Sequence, residues 1–308
     1  METSHATKIH GPVRKAKSMS RADEEYARMA STVLELGKQR GDRTGTGTIS
    51  LFSYQMIFDM ADGFPLLTTK DMTEGFKHIV AEMLWMLKGS TSANELADMG
   101  FGIWRKWAKN HLGSLGPVYG HQWRNFGGGI LDARNGLDVD TEEYSAEYVR
   151  FEGTDQISWI INELKTNPES RRMVVSAWNP NQLDEMALPP CHWSFELYVE
   201  DRKLNMKLHQ RSCDVFLGVP YNIAEYALLL HMLSMVAGYT PGILIHDMTN
   251  VHIYNNHIEQ VKEQLTRNGY EAPVLIKCVR DNIFDFETQD FSLVNYKHHP
   301  KLTGKVSV

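Results

Sequence analysis

The sequence predicts an α+β protein, and three observations carry that expectation. A strongly apolar helical run fills Asn222–Ala237, the buried centre of the predicted fold. Strand-like segments cluster between Met173 and His209, the last of them alternating well between apolar and polar residues. No internal repeat or low-complexity segment suggests a solenoid or an array. The mixture of large sheet and long helices points to α+β.

The elements follow in order. The first 22 residues carry Lys8, Arg14, Lys15, Lys17 and Arg21 against Glu2 alone, with little apolar content. They read as a disordered basic tail (1–22), without the amphipathic stripe an organellar leader would show. One domain, 23–308, is expected after it. Its first helix lies near Ala22–Gly37, where Tyr26, Met29, Ala30, Val33 and Leu34 keep helical spacing and Gly37 supplies a stop. Leu51–Met60 reads as a strand. A helix over Thr73–Leu87 carries Phe76, Ile79, Val80, Met83 and Leu84, with Glu82 set among them.

The stretch Phe126–Asp155 opens on Gly127-Gly128-Gly129, turns acidic, and reads as a surface insertion. Ile157, Ile160, Ile161 and Leu164 mark the next helix. Met173–Trp178, Trp193–Val199 and Lys203–His209 read as strands. A further strand is expected at Ile243–His252 and a helix at His257–Arg267.

Composition narrows the function. The formal net charge of −6 argues against a broad nucleic-acid surface. The cysteines Cys191, Cys213 and Cys278 are odd in number and unclustered, which excludes a disulfide framework and predicts a reducing, cytoplasmic setting. No apolar run approaches the ~20 residues that span a bilayer, so no membrane role is expected. The histidines form no convincing metal set, and no metal is expected.

The residues that carry chemistry centre on Pro189-Pro190-Cys191-His192 and Arg211-Ser212-Cys213-Asp214. Cysteine is the side chain best suited to attack a carbon centre near neutral pH, and nearby positive charge raises its thiolate fraction. Arg211 with Ser212, the pair Arg171-Arg172, and Arg43 in a Gly-rich segment offer planar forks for a phosphate dianion. The segment around Gly45–Gly47 is not a P-loop, because no Gly-Lys-Ser/Thr follows it. Adjacent Arg171 and Arg172 cannot both face one sheet surface, so one of them is free to reach a partner subunit.

Asn222 opens the apolar helix, where it serves either as an N-cap or as a reader of an imide edge such as that of uracil. Glu82 in an apolar stripe is either a proton-handling group with a raised pKa or a boundary residue paired with a lysine. Trp85, Trp104 and Trp107 offer flat surfaces for a ring system, against the default of core packing. Unaided, this reading stops at a cysteine-dependent enzyme acting on a phosphorylated small molecule.

Taken in order, blocks of the chain resemble folate-dependent, cysteine-nucleophile thymidylate synthases. They are Asp42–Gly47, Gly63–Lys70, Gly116–Gly120, Ser170-Arg171-Arg172 with Ser176–Asn179, Met186–His192, Gln210–Gly218, Asn222–Ala224, His252–Tyr254 and Val306–Val308. The resemblance implies that family's fold, a large mixed sheet packed by long helices, in a sheet-to-sheet homodimer. It implies dUMP as substrate and 5,10-methylenetetrahydrofolate as cosubstrate, converted to dTMP and dihydrofolate. Cys191 would add to C6 of uracil, and Asn222 would read the base edge. Glu82, Tyr119, His192 and Asp214 would support the chemistry. Arg43, Gln210, Arg211 and Ser212 would hold the nucleotide, with Arg171 and Arg172 donated by the other subunit. His252 and Tyr254 would hold the sugar. Ile103, Trp104, Trp107, Leu188, Asp214, Leu217, Gly218, Tyr221, Ser307 and Val308 would line the folate site, Val308 ending a C-terminal lid.

The chain departs from that pattern at Glu225, usually a small residue, at Trp193, and at Asp247-Met248-Thr249; Tyr221 and Ser307 are milder departures. Glu225 matters most, because related phage hydroxymethylases begin the reaction identically and finish it with water. A carboxylate there would position that water, giving 5-hydroxymethyl-dUMP and tetrahydrofolate. The plainer alternative pairs Glu225 with Lys207 or Arg105. A third reading is an idle relative that binds RNA or a protein.

Overall fold

The computed structural model describes residues 19–108, 110, 113–132 and 148–307. Most of the basic tail, Val308 and the middle of the 126–155 insertion lie outside the described residues.

Helix α1 (Arg21–Leu36) starts on Ser20, whose side chain accepts the Asp23 N–H. Asp23, 1% exposed, ties this helix to the loop ahead of α2 (Thr73–Leu87): its carboxylate accepts from the N–H and hydroxyl of both Thr68 and Thr69, at 2.6–3.3 Å. Removing the carboxylate leaves several buried donors unsatisfied. Asp23→Ala is therefore expected to cost about 3 kcal/mol of stability, read as a lowered Tm in thermal melts.

The sheet runs β1 (Lys38–Arg40), β2 (Thr48–Asp59), β8 (Thr240–Tyr254), β7 (Lys203–Asp214), β6 (His192–Glu200), β5 (Val174–Ser176), in that spatial order. All neighbours are antiparallel except β7 and β8. That parallel pair needs a crossover, which α6 (Gly218–Ala237) supplies. Helix α6 is apolar almost all round because it is enclosed: α2 packs on it, and β7 and β8 lie beneath. Gly238, at φ 80°, ends it in a left-handed cap. This mixed α+β architecture agrees with the expected fold class.

Alternation along β7 sends Leu204, Met206, Leu208 and Gln210 to the buried face. The opposite face carries exposed apolar side chains, among them Ile57 at 43% and Tyr198 at 61%. It also carries ion pairs: Lys207 to Asp247 at 3.0 Å and His209 to Glu196 at 2.8 Å.

Smaller elements complete the fold: α3 (Ala93–Asp98), α4 (Tyr119–Asn125), α5 (Gln156–Thr166), α7 (Ile258–Leu265) and the hairpin of β9 (Val274–Lys277) with β10 (Phe291–Val294). Within the 126–155 stretch, β3 (Gly129–Asp132) and β4 (Tyr148–Phe151) pair antiparallel, where the sequence reading placed no strands. The hairpin is anchored at its base, Gly153 N–H donating to Asn125 Oδ1 at 2.7 Å. Among the described residues no helix is long and apolar enough to cross a membrane.

Candidate active site

A cavity of about 760 Å³ opens where the ends of β7, β8 and α6 meet the loop before β6. Cys191 sits in that loop, partly exposed to the cavity. Its N–H donates to the Tyr119 hydroxyl at 2.8 Å, and its carbonyl accepts from the Arg211 N–H at 2.8 Å. Tyr119 reaches it because Gly116 takes φ 71°, where a Cβ would collide with the Glu185 carbonyl. Just after Cys191-His192 the ladder is bulged: His192 faces Gln210 and Ser194 faces His209, leaving Trp193 as the extra residue. Trp193 packs near His209, ring centroids 5.7 Å apart.

Burial pushes the Cys191 thiol pKa up, while the Arg211 charge and a hydrogen bond from Ser212 pull it down. Burial wins, so the expectation that positive charge raises the thiolate fraction holds for Arg211 alone and not for the balance. Arg211 itself is fixed: Nε and a terminal nitrogen donate to the carbonyls of Pro190 and Pro189, each at 2.8 Å. The guanidinium also lies 5.3 Å from the Trp178 ring.

His192 lines the cavity but is no cationic partner for the thiol. Its Nδ1 bonds the Tyr226 hydroxyl at 2.8 Å, and its ring stacks on Tyr119 at 4.3 Å. Burial, with His246 nearby, pushes its pKa down to about 3, so the ring is neutral at neutral pH.

The acid side of the site is Glu82. It sits partly buried in the wall, with Trp104 Nε1 donating to it at 2.5 Å. Burial raises its pKa to about 7, against the opposing effect of that N–H. No lysine pairs with it among the described residues, which removes the boundary ion-pair alternative. Trp104 and Trp107 form an edge-to-face pair at 5.7 Å on the Ile103–Trp107 turn. Trp85 does not join them at the cavity: it is 1% exposed and its Nε1 donates to the Ser92 carbonyl, so it is a core residue.

Arg43, exposed, enters the same cavity from a loop shaped by Asp42, whose carboxylate accepts from Thr44 and Gly47. Ser212, Asp214, His252 and Tyr254 line it from the strand ends. Asp214 Oδ1 accepts the N–H groups of Phe216 and Leu217 at 3.0 and 3.1 Å, shaping the turn into α6. His252 Nδ1 contacts the Asn250 carbonyl at 3.2 Å, and burial lowers its pKa. Ile103, Leu188, Leu217, Gly218 and Tyr221 complete the apolar wall. Ser307 lines it too, its hydroxyl accepting from Thr46 Oγ1 at 3.2 Å.

Arg171 and Arg172 stand apart. Both are exposed ahead of β5 and neither lines the cavity. Asn222 is not an N-cap, because α6 begins at Gly218; it lies in the second turn and lines the cavity with Gln210. Glu225, one turn deeper on the same helix face, is 2% exposed and outside the lining. Its plainer alternative fails: Lys207 pairs with Asp247, and Arg105 contacts Asn94 and Asp98. Burial and the neighbouring Glu82 carboxyl push the Glu225 pKa well up, while hydrogen bonding with Asn222 opposes them.

Sequence reasoning missed Phe101, Asn250 and Val306 in the lining, and Tyr226 as the partner of His192. Tyr226 follows Glu225 in the helix already picked out, so its position was the available signal. No group of three or more His, Cys, Asp or Glu able to hold a metal occurs among the described residues. A family model described as thymidylate synthase matches residues 24–308.

Proposed function

The chain belongs to the thymidylate synthase family, and we propose that it transfers a one-carbon unit to C5 of dUMP, giving dTMP. The observation that carries this reading is the convergence of Cys191, Asn222, Arg43, Arg211 and Ser212 on one cavity with Trp104 and Trp107 at its wall. Guanidinium and hydroxyl donors suit a phosphate dianion at one end, and paired aromatic rings suit a flat pterin at the other. The family uses methylenetetrahydrofolate, which supplies the one-carbon unit and, in methylation, the hydride.

Cys191 Sγ forms a bond to C6 of the uracil, and the C5–C6 π pair moves toward C5 and O4. Asn222 meets the base edge and stabilises the charge on O4. C5 bonds the incoming carbon and then gives up its proton, for which Glu82 is the acceptor, directly or through a water. Loss of that proton expels the folate nitrogen from the new carbon and leaves an exocyclic methylene on C5, with Cys191 still bonded to C6. Hydride from the released tetrahydrofolate adds to that methylene to give the methyl group and dihydrofolate, and the displaced electron pair restores the C5–C6 double bond as the C6–S bond breaks and Cys191 regains its thiolate. Arg211 and Ser212 hold the phosphate, Arg43 closes over it, and His252 with Tyr254 hold the sugar hydroxyl. Arg171 and Arg172, exposed and remote from their own cavity, complete the phosphate site of a second copy across the open sheet face.

A second reading, water in place of hydride, draws on Glu225: a buried carboxyl near Glu82 with no cation paired to it among the described residues. It gives 5-hydroxymethyl-dUMP and unchanged tetrahydrofolate.

Both readings require loss of the C5 proton. The test is release of tritium to water from dUMP tritiated at C5, dependent on methylenetetrahydrofolate. No release with either cosubstrate concentration or pH would remove both readings and leave a binding protein. The C-terminal residues give a further prediction. Val306 and Ser307 line the cavity, and the Lys305 carbonyl is held by His257 Nε2 at 2.9 Å. Deleting 306–308 is expected to lower kcat about 100-fold through lost alignment and water exclusion, with dUMP affinity largely kept in titration calorimetry.

A further inference from the structure

Behind the nucleophile lies a group of rings whose hydrogens can be placed. Tyr226, on α6 and 1% exposed, meets His192 Nδ1 through its hydroxyl at 2.8 Å. The two rings cross edge to face at 5.3 Å. The imidazole also stacks on Tyr119 at 4.3 Å, and the Tyr119 hydroxyl accepts the Cys191 N–H. The Tyr226 ring is itself packed against Phe195 and Trp123, at 6.0 and 6.4 Å.

The hydrogen between Tyr226 and His192 has one place to be. Burial, with the Glu225 carboxyl nearby, pushes the Tyr226 pKa well up, so the hydroxyl keeps its hydrogen. Among the described residues that hydroxyl has one hydrogen-bond partner, His192 Nδ1. If Nδ1 carried a hydrogen and donated it, the hydroxyl hydrogen would be buried with no acceptor, an arrangement folded proteins avoid. Tyr226 therefore donates, and Nδ1 is bare. The ring is neutral, so its hydrogen sits on Nε2. Nε2 has no partner among the described residues, and the ring lines the cavity. His246, also buried nearby, bonds neither ring: its Nε2 lies 2.7 Å from Gln210 Oε1, while Gln210 Nε2 donates to the Ser212 carbonyl and to Asn222 Oδ1.

Resting on the reading that Cys191 attacks a bound pyrimidine, we propose that Tyr226 is a positioning residue that holds His192 as an Nε2–H donor toward the cavity. Addition of the thiolate drives negative charge onto a carbonyl oxygen of the base. A fixed N–H, acting directly or through a water, stabilises that charge without having to reorganise. The opposite tautomer would present a bare nitrogen and work against the same charge. Tyr226 does not line the cavity and touches no reacting atom, so its influence passes through His192.

Two measurements on the full chain test this. With isotopically labelled histidine, imidazole nitrogen NMR of the unaltered protein is expected to show His192 with a protonated Nε2 and a bare Nδ1. The His192 signals are assigned by their absence in His192→Leu. A protonated Nδ1 overturns the proposal. The second measurement is kinetic. Tyr226→Phe keeps the ring packed against Trp123 and Phe195, and is expected to lower kcat about tenfold, with dUMP affinity by titration calorimetry within about twofold. In the His192→Leu background the same change should lower kcat no further. Equal loss in both backgrounds gives Tyr226 a purely structural role and overturns the proposal, as does an unchanged kcat in the single variant. Should circular dichroism show Tyr226→Phe misfolded, the NMR result on the unaltered protein decides alone. If the unaltered protein releases no tritium from C5, the underlying reading falls instead, while the imidazole signals still report the tautomer, so the two failures are distinct.

Discussion

Cys191→Ala is expected to lower turnover at least about 10⁴-fold while leaving the fold and dUMP binding intact. The thiol is the one group in the cavity able to form a bond to C6, and no neighbouring side chain substitutes for it. Cys213 is fully buried, its Sγ set against the Gln210 carbonyl at 3.6 Å, and does not line the cavity. Loss of nucleophile removes the only route to a carbanion at C5. The structural cost should be small, because the anchoring contacts of Cys191 are made by its backbone to Tyr119 and Arg211. Tritium release from C5 checks turnover, and calorimetry checks binding. Residual activity within tenfold of the unaltered enzyme would contradict the assignment.

Glu82→Gln is expected to lower kcat about 10²–10⁴-fold, the usual scale for loss of a positioned acid or base. The pH dependence separates this from a packing effect. Burial places the Glu82 pKa at about 7. Below that pH the group is protonated and cannot accept the C5 proton; above it the group is ionised and competent. The rate should therefore fall as pH drops through about 7, and the glutamine variant should lose that limb. The raised thiol pKa of Cys191 adds a separate limb at higher pH, which the variant should retain. A variant profile that keeps the limb near pH 7 would reassign it to another group.

Much of this was legible in the sequence, for reasons visible in particular elements. The stripe from Phe76 to Leu84 faces a single core, and the helix runs over Thr73–Leu87 as read. The strand expected at Lys203–His209 continues to Asp214, because Gln210, Arg211 and Ser212 break the apolar alternation where the strand leaves the core and enters the site. Helix α6 starts four residues before Asn222; Gly218-Val219-Pro220 looks like a turn, yet proline is tolerated in a helix's first turn, where its missing N–H has no intrahelical partner. Three parts of the site could not be read from spacing. His192 adjoins Cys191 in sequence, but strand geometry and burial give it to Tyr226 as a neutral ring. Glu225 has a helical register but no sequence signal for its neighbours, so only the fold separates Lys207 and Arg105 from it. The partners of Gln210 depend on the parallel pairing of β7 with β8, a contact made across the whole α6 crossover.

The most direct test of the account is identification of the product from dUMP and methylenetetrahydrofolate, with folate followed by absorbance and nucleotide by mass. The account predicts a nucleotide heavier than dUMP by one methylene and one dihydrofolate for each. A nucleotide carrying a hydroxymethyl group, with tetrahydrofolate released unchanged, would contradict hydride transfer and establish water as the final nucleophile.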